Sequence, residues 1–110
     1  MKQEGDALML KEIEARRGEM ESLCREFGVR RLDVFGSAAA NMVLPATSDL
    51  DFLVEFESPG APGYADRYFG LLEALGDLFG RRVDLVVESA MRNPYFRQSV
   101  ERTRSQLYAA

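Results

Sequence analysis

The stretch from Leu32 to Phe56 constrains this chain more than any other. It is apolar up to Phe35, breaks at Gly36-Ser37, and crosses Ala38-Ala39-Ala40 and a segment holding Pro45. It resumes as Ser48-Asp49-Leu50-Asp51-Phe52-Leu53-Val54-Glu55-Phe56. Residues 29–35 and 50–56 are short and rich in β-branched and aromatic side chains, so both are expected as strands. Alternation places Leu50, Phe52, Val54 and Phe56 on one face of the second strand, and Asp49, Asp51 and Leu53 on the other. Asp33 reads as the polar member of the first strand's alternation. Gly36 to Ala40 is expected to open a short helix, and residues 42–47 to form a loop, because Pro45 cannot continue that helix.

On either side of this stretch the pattern is helical. Leu10, Ile13, Met20, Leu23, Cys24 and Phe27 recur at three- and four-residue steps, predicting a helix over residues 7–27. Gly18 is a candidate bend in it, and Gly28 its stop. The run Ser58-Pro59-Gly60-Ala61-Pro62-Gly63 is loop-like. Tyr64, Tyr68, Leu71, Leu72, Leu75, Leu78 and Phe79 mark a second amphipathic helix closed by Gly80. A third strand is expected over residues 83–87. Asn93-Pro94 resembles an N-cap followed by proline, opening a terminal helix through about Leu107. Arg81 and Arg82 read as a solvated approach to the third strand, and Arg92, Arg97, Arg102 and Arg104 as the wet face of the last helix. The order of elements predicts one α/β (α+β) domain over residues 1–110, a small mixed sheet flanked by helices.

Composition narrows the chemistry. A chain of 110 residues, 46% hydrophobic and 29% charged, is globular in balance and holds one core. No apolar run approaches the roughly 20 residues of a membrane span, and the first residues lack a signal-like apolar stretch. With a single cysteine, Cys24, expected in the core, these features point to a cytoplasmic protein. The net charge of −4 argues against direct nucleic-acid binding. There is no histidine, which excludes Ser-His-Asp and Cys-His catalysis within the chain and His-ligated zinc. Carboxylates, hydroxyls, arginines or a bound metal must do the work.

Asp49 and Asp51, two apart on a strand, present both carboxylates on one face, where they repel unless a cation lies between them. Hard oxygen ligands suit Mg²⁺, and a pair of ions bridging attacking and leaving oxygens needs a third carboxylate. Asp84, early in the third strand, is the best candidate, with a solvent-facing strand residue as the alternative. Gly36 lets backbone approach a phosphate closely, and Ser37 adds a hydroxyl donor. Together these residues suit attack of an acceptor hydroxyl on the α-phosphorus of a nucleoside triphosphate.

Gly36-Ser37 followed by Ser48-Asp49-Leu50-Asp51-Phe52-Leu53-Val54 resembles the signature of the DNA polymerase beta nucleotidyltransferase superfamily. The short chain, and its ending from Gly80-Arg81-Arg82-Val83-Asp84-Leu85-Val86-Val87 to Leu107-Tyr108, are similar to the minimal nucleotidyltransferase (MNT) family, MntA-like antitoxins included. The resemblance covers roughly residue 20 onward. It implies that Asp49, Asp51 and Asp84 bind two Mg²⁺ ions and that Gly36 and Ser37 hold the triphosphate of ATP. It also implies a partner, a HEPN-domain toxin, with AMP transferred to one of its tyrosines. The chain departs from the family pattern at Ala40 and Asn41, where arginine and glycine are usual. Its motif gap is also longer: 11 residues separate Ser37 from Asp49.

Isolated Asp-x-Asp is most often two exposed acids, and isolated Gly-Ser a turn. Their joint occurrence, each on its own strand, favours the functional reading. The departures favour an alternative, a degenerate antitoxin that neutralises its toxin by binding alone. A domain this small leaves little surface to enclose a free small-molecule acceptor, which favours an acceptor on a partner protein or a pocket shared in a homo-oligomer.

Overall fold

The computed structural model describes residues 9–40 and 48–110. Helices α1 (Met9–Ala15) and α2 (Arg17–Glu26) lead into strand β1 (Val29–Phe35). Strand β2 (Leu50–Phe56), helix α3 (Tyr64–Phe79), strand β3 (Val83–Val87), a 3₁₀ turn over Glu88–Ala90, helix α4 (Pro94–Thr103) and strand β4 (Ser105–Ala109) follow. The strands form one sheet in the order β3-β2-β1-β4. β1 runs antiparallel to β2 and β4, whereas β2 and β3 are parallel, so the sheet is mixed as expected.

The two faces of the sheet are covered by different helices. Leu32, Val34, Leu50, Phe52, Val54, Phe56, Leu85 and Leu107 meet Ile13, Met20 and Cys24 of α1–α2 and Leu71 and Leu75 of α3 in the main core. Each such side chain removed from water contributes about 1.5–3 kcal/mol before conformational entropy is charged against it. On the opposite face a smaller cluster of Phe35, Leu53, Met91 and Val100 seats α4. Cys24 is buried in the main core, and burial pushes its thiol up to about 12, so it is an inert packing residue.

Three helical expectations need correction. The predicted helix over residues 7–27 is two helices that part at Arg16, so the interruption falls just before Gly18. Gly36 to Ala40 makes one turn, closed by an Ala40 N–H donating to the Gly36 carbonyl at 3.1 Å. The loop expected over 42–47 lies outside the described residues. The terminal helix begins as predicted, with Asn93 Oδ1 accepting from the Tyr95 and Phe96 amides, but it ends at Thr103. Residues 105–109 instead pair with β1, because Leu107 reaches the main core only from an extended chain at the sheet edge. As expected, α2 and α3 stop at Gly28 and Gly80, both left-handed.

Asp33 and Arg104 also differ from expectation. Asp33 is not on a wet face; it is fully buried. Arg104, at the end of α4, donates from Nε to Asp33 Oδ2 at 2.7 Å, while Arg31 donates from Nε to Asp33 Oδ1 at 3.1 Å. The same Arg104 guanidinium grips both oxygens of Glu88 at 3.1 Å and Glu101 at 2.7 Å. Its carboxylate partners hold the guanidinium charged, and Glu88 is lowered from its ordinary range chiefly by that hydrogen bonding. A fork with five donors satisfies three acids at once, which ties β1, the 3₁₀ turn and α4 together. Arg92 and Arg102 are exposed as expected.

Replacing Arg104 by Ala leaves Asp33 buried with only Arg31. Urea unfolding should show a loss of about 3 kcal/mol, the lower end of the range for orphaning a buried charge. In the wild type the Glu88 contribution is present above the ordinary glutamate range and is lost as pH falls through its lowered value. The Arg104→Ala protein should lack that acid-side step, and stability equal to wild type would contradict the assignment.

Candidate active site

The sequence places acids at both ends of the β2–β3 region, and the strand register decides which meet. β2 and β3 are parallel, with Leu50 opposite Val83, Asp51 opposite Asp84 and Phe52 opposite Leu85. Phe52 and Leu85 turn into the main core, so Asp51 and Asp84 share the α4 face, side by side. Asp49 stands just ahead of β2 and is exposed. The β3 approach holds this leading end. The Leu50 amide donates to the Arg82 carbonyl at 3.0 Å, and Arg81 Nη1 donates to the Ser48 carbonyl at 3.2 Å. Arg82 Nε lies 3.5 Å from Asp49 Oδ1. These two arginines are therefore more than a solvated approach: one fixes the backbone before Asp49 and the other faces its carboxylate.

Electrostatics single out Asp51. Burial raises it from the ordinary carboxylate range, and the negative charges of Asp84 and then Asp49 raise it further. Tyr68, whose hydroxyl donates to the Leu85 carbonyl at 2.5 Å, is raised by burial and by Asp84. A cation beside these acids would relieve the repulsion that Asp51 experiences. The donor set is all oxygen and anionic, which fits a hard divalent ion such as Mg²⁺. Among the described residues no three metal-ligating side chains already converge closely enough to hold one as they stand.

The Gly-Ser turn closes on the same carboxylate. Phe35, the last residue of β1, pairs with Asp51, and the chain then turns at Gly36 with φ +74°. The left-handed backbone favours glycine there, and a Cβ on Gly36 would sit 2.8 Å from Asp51 Oδ2, so a side chain would also push the Asp51 carboxylate aside. Ser37 is exposed next to it. The Gly36 N–H donates to Thr103 Oγ1 at 2.9 Å. Sequence reasoning missed Thr103, because 67 residues separate it from Gly36 and no local pattern couples them.

The fold therefore brings Gly36, Ser37, Asp51 and Asp84 to one end of the sheet, with Asp49 at its rim. A cavity of about 620 Å³, lined in part by Arg30, Arg31, Glu55 and Glu88, contains none of them. Glu55 lies four residues along β2 from Asp51, about 13 Å away at strand rise, so this cavity opens toward the other end of the sheet.

Two substitutions separate conformation from charge. Gly36→Ala should cost about 1–2 kcal/mol in unfolding free energy from the left-handed backbone alone, and it should also displace Asp51. Asp51→Asn should raise the thermal midpoint at neutral pH. A carboxylate raised in the folded state opposes folding once ionised, so its removal stabilises, and the gain should shrink as pH falls below the wild-type value. A lower midpoint in Asp51→Asn at neutral pH would contradict this electrostatic picture.

Comparison with known proteins supports the same reading. Residues 20–106 match the nucleotidyltransferase domain family. The chain is 40% identical over 79 residues to a Methanocaldococcus jannaschii protein provisionally named protein adenylyltransferase MJ0128, covering 72% of this chain and 76% of that one. It is 38% identical over 87 residues to the protein adenylyltransferase MntA of Thermococcus cleftensis, covering 78% and 84%. A solved structure provisionally described as a minimal nucleotidyltransferase superposes with a TM-score of 0.70 at 38% identity, over 87% of this chain and 93% of the other. The fold also matches a complex of a tri-AMPylated Shewanella oneidensis HEPN toxin with an MNT antitoxin, with a TM-score of 0.61 at 18% identity, over 88% and 72%. The strand order, the paired aspartates beside a glycine turn and these relatives agree: the chain belongs to the nucleotidyltransferase domain family, as one of its minimal, adenylyltransferase-like members.

Proposed function

We propose that this enzyme transfers AMP from ATP to a hydroxyl on a partner protein, a HEPN-domain toxin, and that a tyrosine of the toxin is the acceptor. The observation that carries the reading is the pairing of Asp51 with Asp84 beside the Gly36 turn. Support for the partner comes from the adenylyltransferase names of its relatives and from the toxin–antitoxin complexes that share its fold.

Asp49, Asp51 and Asp84 are the residues that would hold Mg²⁺, in two ions if both metal positions fill. Bound there, the metal supplies charge neutralisation for the triphosphate and the leaving oxygen. The chain's own contributions are distinct. Ser37 offers its exposed hydroxyl to the β- and γ-phosphates. Gly36 keeps that turn close against Asp51. Arg82, within reach of Asp49, is placed to meet a phosphate oxygen once metal claims the carboxylate. The acceptor oxygen forms a bond to the α-phosphorus as the bond to the β-phosphate oxygen breaks, and pyrophosphate leaves. The acceptor hydroxyl's proton passes to an adjacent carboxylate or water.

A second reading, neutralisation by binding alone, is favoured by Ala40 in place of the usual arginine and by the longer gap between Ser37 and Asp49. Intact mass distinguishes the two. With ATP, Mg²⁺ and the HEPN protein as acceptor, the partner should gain one or more AMP units. Asp51→Asn and Asp84→Asn should each reduce the rate by at least about 100-fold, as expected when a metal ligand is lost from such a site. An unmodified partner held in a stable complex, with no ATP consumed, would establish binding alone.

A further inference from the structure

Thr103 lies at the end of α4, far in sequence from the Gly-Ser turn, yet its Oγ1 accepts the Gly36 N–H at 2.9 Å. Gly36 follows the last paired residue of β1, so this amide has left the β1–β2 ladder. Thr103 is itself held firmly. Val100, one turn earlier, is fully buried in the cluster with Phe35 and Leu53. Arg104, the next residue, is locked to buried Asp33 and to Glu88 and Glu101. The hydroxyl is thus a fixed point on the α4 face. On its other side, the Gly36 α-carbon is packed so closely on Asp51 that a Cβ would come within 2.8 Å of Oδ2.

We propose that Thr103 is a positioning residue, whose hydroxyl clamps the Gly36-Ser37 turn against Asp51 so that the turn and the carboxylate meet a metal-bound triphosphate in register. The proposal rests on the reading of the site as a nucleotide site. Its chemistry is specific: an acceptor is required at Oγ1, and bulk alone does not serve. Valine, which keeps the shape and removes the oxygen, breaks the clamp, whereas serine, which keeps the oxygen, preserves it. Without the acceptor the Gly36 amide loses its partner and the turn can swing away from Asp51.

The test compares wild type, Thr103→Val and Thr103→Ser for binding of the β,γ-imido analogue of ATP with Mg²⁺ by calorimetry, and for the Gly36 amide proton shift by NMR. Thr103→Val should weaken binding about ten-fold, the worth of one hydrogen bond, and move the Gly36 amide upfield. Thr103→Ser should restore both. Unchanged affinity in a folded Thr103→Val protein would overturn the proposal. So would a loss that serine fails to rescue, since that would mark a packing role only. If wild type binds no nucleotide at all, the site reading falls and takes the role of Thr103 with it. The Gly36 shift would then still report whether the hydrogen bond exists.

Discussion

The parallel register of β2 and β3 is the constraint on which the site depends. It sets Asp51 directly beside Asp84, two like charges on one face of a sheet, with Asp49 a short step away. Burial first, and then the charges of Asp84 and Asp49, push the Asp51 carboxyl above its ordinary range, so its ionised form works against folding. The arrangement persists because the rest of the two strands is strongly apolar. Leu50, Phe52, Val54 and Leu85 are buried on the opposite face, and their register cannot slip by one residue without turning them out of the main core. The core therefore holds Asp51 and Asp84 side by side, an electrostatic arrangement that a bound cation would relieve.

A second charged cluster does the opposite work. Around Arg104, the acids Asp33, Glu88 and Glu101 are matched by guanidinium donors, and among the described residues no buried side-chain polar atom lacks a partner. This balanced network fixes α4 on the sheet, and α4 in turn supplies the Thr103 hydroxyl to the Gly36 turn. The two clusters share one face of the sheet but differ in kind. In one, each carboxylate is hydrogen-bonded or ion-paired to a guanidinium; in the other, Asp51 is raised by its burial and by the charges of Asp84 and Asp49.

Much of this was legible in the sequence where local physics dominates. The alternation of Leu50 to Phe56, the cap at Asn93-Pro94 and the glycine stops at Gly28 and Gly80 each follow from neighbours only a few residues away. The candidate acids were legible too, since Asp49 and Asp51 stand two apart on a strand. Failures arose where long-range contacts decide. Asp33 alternates like a surface residue, yet two arginines, one of them 71 residues distant, allow its burial. Residues 105–107 continue a helical spacing, but pairing with β1 overrides it and makes an edge strand. Thr103 and Arg104 carry no motif of their own, and their roles emerge only when α4 lands beside β1.

On the proposed function, Asp49, Asp51 and Asp84 form one divalent-metal site shared with a nucleoside triphosphate at the Gly36-Ser37 turn. A crystal structure grown with Mn²⁺ and a non-hydrolysable ATP analogue tests it most directly, because anomalous scattering locates the ions independently of any assumption about the ligand. Anomalous peaks should lie within bonding distance of Asp51 and Asp49, with Asp84 completing the set and the triphosphate lying over Gly36-Ser37. Nucleotide bound instead in the cavity beside Arg30 and Arg31, with no ion at the three aspartates, would contradict it.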